Sequence, residues 1–157
     1  MKKILPFLFV LIGLNAGAQI VNIPNANFKN ALVNYTPRID INFDGEIQAS
    51  EAAIVDTLQL QSKNIADLTG ILSFTNLTYL NCSHNPLTTL NVSGLIRLQK
   101  LFGNDDILTS INVTGCNALF YMDCSVNPIK TLNFSLSGLA NLVELRCEDC
   151  FQLTALK

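Results

Sequence analysis

The chain has 157 residues, of which 49% are hydrophobic and 14% charged, and its formal net charge is -2 at pH 7. This apolar content suffices for the core of one domain. Because the net charge is small and negative, we expect no basic patch that could bind nucleic-acid phosphates. A single His and the absence of a His, Cys and carboxylate cluster at zinc spacing argue against a hydrolase or a transition-metal site. We therefore expect neither a nucleic-acid partner nor an enzyme.

The N-terminal segment, residues 1–18, has the pattern of a secretory signal peptide. Lys2 and Lys3 precede the apolar run 4–14, and an Ala-Gly-Ala segment ends at Ala18. The run is too short for a bilayer, which takes about twenty residues to span. Cleavage after Ala18 would leave Gln19 first, and no later run approaches membrane length. The sequence therefore predicts a secreted or cell-surface protein with no membrane span after cleavage.

Residues 19–54 are predicted to form a helical cap. Pro24 stands at a possible helix start. Apolar side chains then recur at the helical period on one face, at Phe28, Ala31, Leu32 and Tyr35. This spacing predicts a short amphipathic helix.

Residues 40–51 read DINFDGEIQASE and place oxygen-bearing side chains at the alternating positions that a calcium loop uses. Gly45 provides the sharp turn and Ile47 the inward apolar contact. The segment resembles EF-hand and dockerin-type loops, which implies a structural calcium ion. The predicted ligands are Asp40, Asn42, Asp44, the backbone carbonyl of Glu46, Gln48 directly or through water, and both carboxylate oxygens of Glu51.

Three carboxylates, those of Asp40, Asp44 and Glu51, are expected to converge in this loop, and their mutual repulsion argues for a cation. A single unpaired loop should bind calcium weakly, at roughly the 10⁻⁴ to 10⁻³ M of extracellular modules. The alternative is an acidic turn that shapes the cap without an ion. In either case the predicted role is to cover the first repeat.

The rest of the chain, residues 55–157, is repetitive. Five segments of the form L-x-x-L-x-L/C begin at Val55, Leu77, Leu98, Leu119 and Leu142, which are 21 to 23 residues apart. This is the period of a leucine-rich repeat. The pattern predicts an α/β solenoid of five units, with a parallel sheet on the concave side and a Leu- and Ile-rich core behind it.

The turn that follows each predicted strand carries a recurring polar position. Asn85 and Asn127 occupy it in two units, where a side-chain amide can pair backbone groups that the turn would bury. Other units have Lys63, Asp106 and Cys150 at this position. Gly103 replaces an inward Cys, so we expect the third unit to pack least well.

The cysteines favour buried free thiols, because Cys82, Cys124 and Cys147 fall at inward strand positions. Neighbouring strands would bring Cys124 and Cys147 within bridging distance, but their parallel side chains disfavour a disulfide. Cys147 and Cys150 have C-x-x-C spacing without the flanking βαβ pattern of a redox site. His84 lacks a partner at catalytic spacing and is predicted to lie on the surface, so no catalytic residue is proposed.

Taken together, the repeats resemble those of bacterial leucine-rich-repeat surface proteins, including internalin-like proteins. The units with Asn81-Cys82-Ser83 and Asn91 to Gly94 are most similar to those of secreted Bacteroidota proteins. In that group such repeats often precede a C-terminal sorting domain. The chain stops midway through a repeat without a polar capping unit, so we expect it to be a fragment with a truncated C-terminal end.

The outward positions of the predicted strands define a candidate ligand surface. Aromatic side chains on three adjacent strands favour recognition of a protein or cell-surface ligand over catalysis. Carbohydrate binding and a passive structural spacer in a larger surface protein are the alternatives. The candidate ligand-binding residues are Tyr79, Asn81, Lys100, Phe102, Tyr121, Asp123 and Arg146.

Overall fold

The computed structural model describes residues 19–132, 140–150, 152, 155 and 156. The predicted signal peptide lies outside these residues. The strands in the described part are β1 (Thr57–Gln59), β2 (Tyr79–Asn81), β3 (Thr89–Asn91), β4 (Lys100–Phe102), β5 (Ser110–Asn112), β6 (Tyr121–Asp123), β7 (Thr131–Leu132), β8 (Glu144–Arg146) and β9 (Ala155–Leu156).

A five-stranded parallel sheet, here called the main sheet, runs in the order β1-β2-β4-β6-β8. The central residues of neighbouring strands are in register, so that Leu58 pairs with Leu80, Leu80 with Leu101 and Leu101 with Met122. All four side chains are buried. The sheet is formed by the predicted repeats at the predicted register, which confirms the leucine-rich-repeat solenoid.

The opposite side of the solenoid also carries strands. β3 pairs with β5 in a sheet here called the second sheet, and β7 pairs with β9. In the described residues, α-helix is confined to the cap, and only a 3₁₀ turn at Ile71–Ser73 interrupts the repeats. The Asn-Val-Ser-Gly and Asn-Val-Thr-Gly segments explain this, because a β-branched residue favours extended backbone and Gly94 and Gly115 adopt positive φ of 77° and 78°.

Two helices form the cap. α1 (Ala26–Val33) begins after the N-cap Asn25, whose side chain accepts a hydrogen bond from the Phe28 N–H, so the helix starts two residues after Pro24. Phe28 and Leu32 are buried, as the helical spacing predicted. α2 (Ala49–Ala52) follows the acidic loop, and Gln48 and Glu51 form its capping box.

Asn85 and Asn127 hold the turns that follow β2 and β6. The Asn85 amide nitrogen donates to the carbonyls of Leu60, Cys82 and Ser83, while its oxygen accepts from the N–H groups of Lys63 and Ile65. Asn127 makes the corresponding bonds two turns of the solenoid further on, to the carbonyls of Gly103, Cys124 and Ser125. Both residues are buried, so their role is structural, as predicted.

The third repeat is well packed at Gly103, contrary to our expectation for that residue. Gly103 is buried, and a methyl group added to it would lie 3.2 Å from a Leu90 methyl and 3.5 Å from a Leu108 methyl. The larger side chains of the neighbouring second-sheet segment therefore fill the space that a Cys side chain takes in other units. Gly103 is accommodated because packing in a solenoid is shared between adjacent turns.

All five cysteines are free thiols, and Cys82, Cys116 and Cys124 are completely buried. Burial raises the pKa of the Cys82 and Cys124 thiols far above the usual value and that of Cys116 to about 11. Thiols with raised pKa values contain little of the nucleophilic thiolate. These three side chains therefore act as small apolar groups. In the part of the chain that the structure describes, no helix is both long and apolar enough to cross a membrane.

Candidate functional site: the outward face of the main sheet and the cap loop

Three aromatic rings form a continuous strip on the outward face of the main sheet. The ring centroids of Tyr79 and Phe102 are 5.3 Å apart, and those of Phe102 and Tyr121 are 4.9 Å apart, with the rings tilted by 36° and 35°. These are the distances of favourable aromatic pairs. Each ring is half-buried. The aromatic strip, Tyr79, Phe102 and Tyr121, thus presents one apolar surface across three strands, and Phe102 does not turn inward.

Charged residues border one end of the aromatic strip. The guanidinium of Arg146 lies 5.7 Å from the Tyr121 ring centroid and bonds the Glu144 carboxylate at 2.8 Å. The hydrogen bond that Arg146 donates to Glu144 is the main cause that raises the pKa of Arg146, and burial raises the pKa of the Tyr121 hydroxyl. At neutral pH this end of the strip therefore carries an Arg–Glu ion pair, with the guanidinium beside a neutral phenol.

The remaining candidate ligand residues differ in how free they are to bind. Asn81 accepts bonds from the N–H and hydroxyl of Ser83, and Asp123 accepts one from the N–H of Ser125. Both side chains are thus partly committed to the turns after their strands. Lys100 is exposed, and its ammonium lies 5.6 Å from the Phe120 ring centroid, so it contacts a ring outside the aromatic strip.

Tyr35 closes the outer edge of β1. Its hydroxyl donates to the Thr57 carbonyl at 3.3 Å and accepts from the Gln59 N–H at 2.7 Å, so it pairs backbone groups that an edge strand leaves open. Sequence reasoning placed Tyr35 on the helix face and missed this role, because a hydroxyl that pairs across 22 residues leaves no local pattern. A cavity of about 410 Å³ beside it is lined by Ala31, Asn34, Tyr35, Thr36, Gln59, Gln61 and Lys63.

The acidic loop of the cap is held by hydrogen bonds within its own residues. The Gly45 N–H donates to Asp40, the Asp44 N–H to Asn42 and the Glu46 N–H to Asp44. Gly45 has a φ of 77°, and Ile47 is completely buried, as the motif predicted. The bond from Glu46 is the main cause that lowers the pKa of Asp44, which therefore stays ionised at neutral pH.

The three carboxylates of the loop do not converge as expected. Among the residues that the structure describes, no group of three or more His, Cys, Asp and Glu side chains is arranged to hold a metal ion. The amides of Asn42 and Gln48 donate to Asp44, and Glu51 accepts the N–H groups of Ile41 and Gln48. Internal donors therefore compensate these charges, while the predicted backbone ligand, Glu46, pairs its side chain with Lys29.

One atom of the loop lacks such compensation. Asp40 is 2% exposed, and its Oδ1 has no hydrogen-bond partner. A buried carboxylate oxygen without a donor is costly and is suited to a hard cation. The oxygen-only donor set of Asp40, Asn42, Asp44, Gln48 and Glu51 fits calcium by its chemistry, provided that Glu51 exchanges its backbone donors for the ion.

No family model matches the sequence, and no characterised protein matches it in sequence. Among solved structures, the fold is similar to that of internalin InlF from Listeria monocytogenes str. 4b F2365, with a TM-score of 0.65 and 17% identity over 91% of this chain and 46% of that chain. It is also similar to the functional domain of InlJ from Listeria monocytogenes, which includes a cysteine ladder. There the TM-score is 0.64 and the identity 25%, over 88% of this chain and 37% of that chain.

This chain spans less than half the length of either internalin structure. The similarity confirms that its fold is the leucine-rich-repeat fold of internalins.

Proposed function

We propose that this chain is an exported leucine-rich-repeat recognition module that binds a protein on a cell surface through the outward face of its main sheet, the predicted concave face. The observation that carries the proposal is the aromatic strip, in which Tyr79, Phe102 and Tyr121 remain half-exposed across three adjacent strands. Large, rigid rings give contact area at low entropic cost and are enriched at binding hot spots. The similarity to internalins supports this class of function.

The border of the strip supports the same proposal. Arg146 is held against Tyr121 by Glu144, so its guanidinium is oriented before any partner arrives. Arg beside Tyr is a combination enriched at the centre of protein interfaces. The second sheet offers no comparable surface, because its exposed positions, Thr89, Asn91, Ser110 and Asn112, are all small and polar.

The test replaces two rings of the aromatic strip and measures binding of the purified chain to intact cell surfaces and to arrayed proteins and glycans. Tyr79→Ala combined with Tyr121→Ala should abolish binding and leave the melting temperature nearly unchanged, because both rings project away from the core. Thr89→Ala with Ser110→Ala is the matched control on the second sheet and should retain binding. Retained binding in the tyrosine variant would exclude this face, and a large loss of stability would show that the rings serve packing.

Carbohydrate binding is the second candidate, and the cavity at the cap end of the main sheet favours it. Side-chain amides of Asn34, Gln59 and Gln61 line that cavity beside Tyr35. Amides pair with sugar hydroxyls, and an aromatic ring can stack on a sugar face. Gln59→Ala with Gln61→Ala should abolish binding to arrayed glycans if this cavity is the site, and it should leave binding to a protein partner on the aromatic strip unchanged.

We further propose that the cap loop binds calcium in a structural role, through Asp40, Asn42, Asp44, the Glu46 carbonyl, Gln48 and Glu51. The partnerless Oδ1 of Asp40 is the observation that supports it. An ion that binds only the folded loop stabilises the fold by mass action, by roughly 2.7 kcal/mol at one hundred times the dissociation constant. The alternative is a turn that is complete through its own hydrogen bonds.

Melting curves in chelator and in millimolar calcium distinguish the two. The unmodified chain should melt at a higher temperature in calcium, and Asp44→Ala should erase that difference. Asp56→Ala removes an exposed carboxylate outside the loop and should preserve it. If the unmodified chain melts at the same temperature in both solutions, the turn needs no ion.

A further inference from the structure

At the turn position occupied by Asn85 and Asn127, each side chain both accepts and donates hydrogen bonds. The Asn85 side chain accepts two backbone N–H groups and donates to the Leu60 carbonyl of the preceding repeat. Asn127 accepts the Leu108 N–H and donates to the Gly103 carbonyl of the preceding repeat. An amide satisfies both demands without any charge.

Cys150 shows that a different side chain can supply the donor at this position. Its thiol donates to the Cys124 carbonyl of the preceding repeat at 3.3 Å. The donating half of the pattern is therefore met by a thiol as well as by an amide.

Asp106 occupies this position in the third repeat and is 7% exposed. Its Oδ1 accepts the Asn85 N–H, which matches the accepting half of the pattern. Its Oδ2 is buried and has no hydrogen-bond partner. The oxygen that stands where Asn85 and Asn127 have their amide nitrogen is therefore the atom without a partner, and an ionised carboxylate has no proton to donate there.

The titratable groups around Asp106 do not neutralise a negative charge. Asp105 on the same turn adds a like charge, and the buried Cys82 thiol of the preceding repeat interacts with Asp106 electrostatically. His84, on the preceding turn, lies beside Asp105 with its Nε2 3.8 Å from the Asp105 Oδ2. On the following repeat, the Cys124 thiol is buried and its pKa is raised by burial.

We propose that Asp106 is a neutral carboxylic acid in the folded chain. It donates a hydrogen bond to the main-chain carbonyls of the turn, as the amides of Asn85 and Asn127 do. Because this bond needs the proton, the stability of the third repeat depends on pH. By register, the carbonyl of the preceding repeat that corresponds to Leu60 and Gly103 is that of Cys82. Loss of the proton places a buried charge among carbonyl oxygens, which destabilises the turn that follows Phe102 of the aromatic strip.

Burial raises the pKa of Asp106 from 3.8 to about 7. Between these values the folded chain holds a proton that the unfolded chain has lost, so stability falls as the pH rises through this window. Below the pKa of the unfolded chain, Asp106 is protonated in both the folded and the unfolded state, and it does not lower the stability. Above about pH 7, Asp106 is ionised in both states and the loss of stability is complete. A pKa difference of about three units lowers the folding equilibrium constant by up to about a thousand-fold.

The test is the melting temperature of the purified chain between pH 4.5 and 8.5, with three variants. Asp106→Asn supplies an amide donor and should remove most of the decline with rising pH, so that it melts well above the unmodified chain at pH 8 and close to it at pH 4.5. Asp105→Asn removes the exposed neighbouring carboxylate and should keep the decline. Asn127→Asp places a second acid at an equivalent turn and should add a second decline.

A spectroscopic measurement tests the proton without relying on the stability of any variant. The infrared spectrum of the unmodified chain at pH 5.5 should show the carbonyl stretch of a protonated carboxylic acid, and Asp106→Asn should lack that band. The proposal is wrong, and Asp106 is ionised in the fold, if the band is absent from the unmodified chain. It is also wrong if the melting temperature of Asp106→Asn falls with rising pH as that of the unmodified chain does.

Discussion

The main sheet and the second sheet bury the same kind of residue inward and present different residues outward. Inward, both carry an apolar side chain, Leu, Ile or Met, at the centre of each strand. Outward, the main sheet displays the aromatic strip, whereas the second sheet displays Thr89, Asn91, Ser110 and Asn112. Because the inward residues suffice for packing, this contrast shows which outward positions are available for recognition.

The two sheets also differ in the burial of one central residue. Leu58, Leu80 and Leu101 of the main sheet are completely buried and Leu90 of the second sheet is 2% exposed, whereas Ile111 of the second sheet is only half-buried. The turns that follow β2 and β6 of the main sheet are held by the buried amides of Asn85 and Asn127. The segments that follow β3 and β5 of the second sheet are held by the exposed side chains of Asn91 and Asn112. We therefore expect most of the stability to reside on the main-sheet side.

The largest effect is expected from Asn85→Ala. This change removes five hydrogen bonds between the side chain and the backbone, although the Ser83 carbonyl keeps its bond from the Ser62 N–H, and it should cost roughly 3–5 kcal/mol in the free energy of unfolding. Asn91→Ala is the matched change on the second sheet, where an exposed amide accepts one bond from Ser93, and it should cost less than about 1 kcal/mol. Urea unfolding of both variants measures the difference. Equal costs would show that the two kinds of turn contribute alike.

A smaller effect is expected from the inward residues of the two sheets. Leu101→Ala should lower the free energy of unfolding by about 3 kcal/mol, because it opens a cavity in a fully buried site. Ile111→Ala removes a half-buried side chain in the second sheet and should cost about half as much. Denaturant titrations under identical conditions compare the two. A greater loss in Ile111→Ala would place the stabilising core on the other side of the solenoid.

The smallest effect, a gain, is expected at Val126. Equivalent turns place Ser62, His84, Asp105 and Asp149 at positive φ near 55°, and Val126 adopts the same conformation with a φ of 56°. A β-branched residue is strained there, so Val126→Asn should stabilise the chain by about 1 kcal/mol. Asp149→Asn exchanges two tolerant residue types and should leave the melting temperature unchanged. Thermal melts of both variants check this, and destabilisation by Val126→Asn would mean that the Val side chain makes a compensating contact.

Much of this molecule could be predicted from the sequence. The repeat spacing located each strand of the main sheet, and period-two alternation assigned Tyr79, Phe102 and Tyr121 to its outward face. Local rules also identified α1, the sharp turn at Gly45 and the burial of Ile47. These features depend on neighbours in sequence or on a period, and both can be read along a single chain.

Other features were decided only by the tertiary structure. Gly103 is well packed because Leu90 and Leu108 fill its space, and Tyr35 completes the edge of β1, a strand that begins 22 residues later. The side chains of the calcium-type loop pair with one another instead of converging, and Asp106 is buried with one oxygen without a partner. In each case the outcome depends on which groups from other turns of the chain come within hydrogen-bond or contact distance. A one-dimensional pattern can nominate such residues, but it carries no information on the partners that stacking supplies.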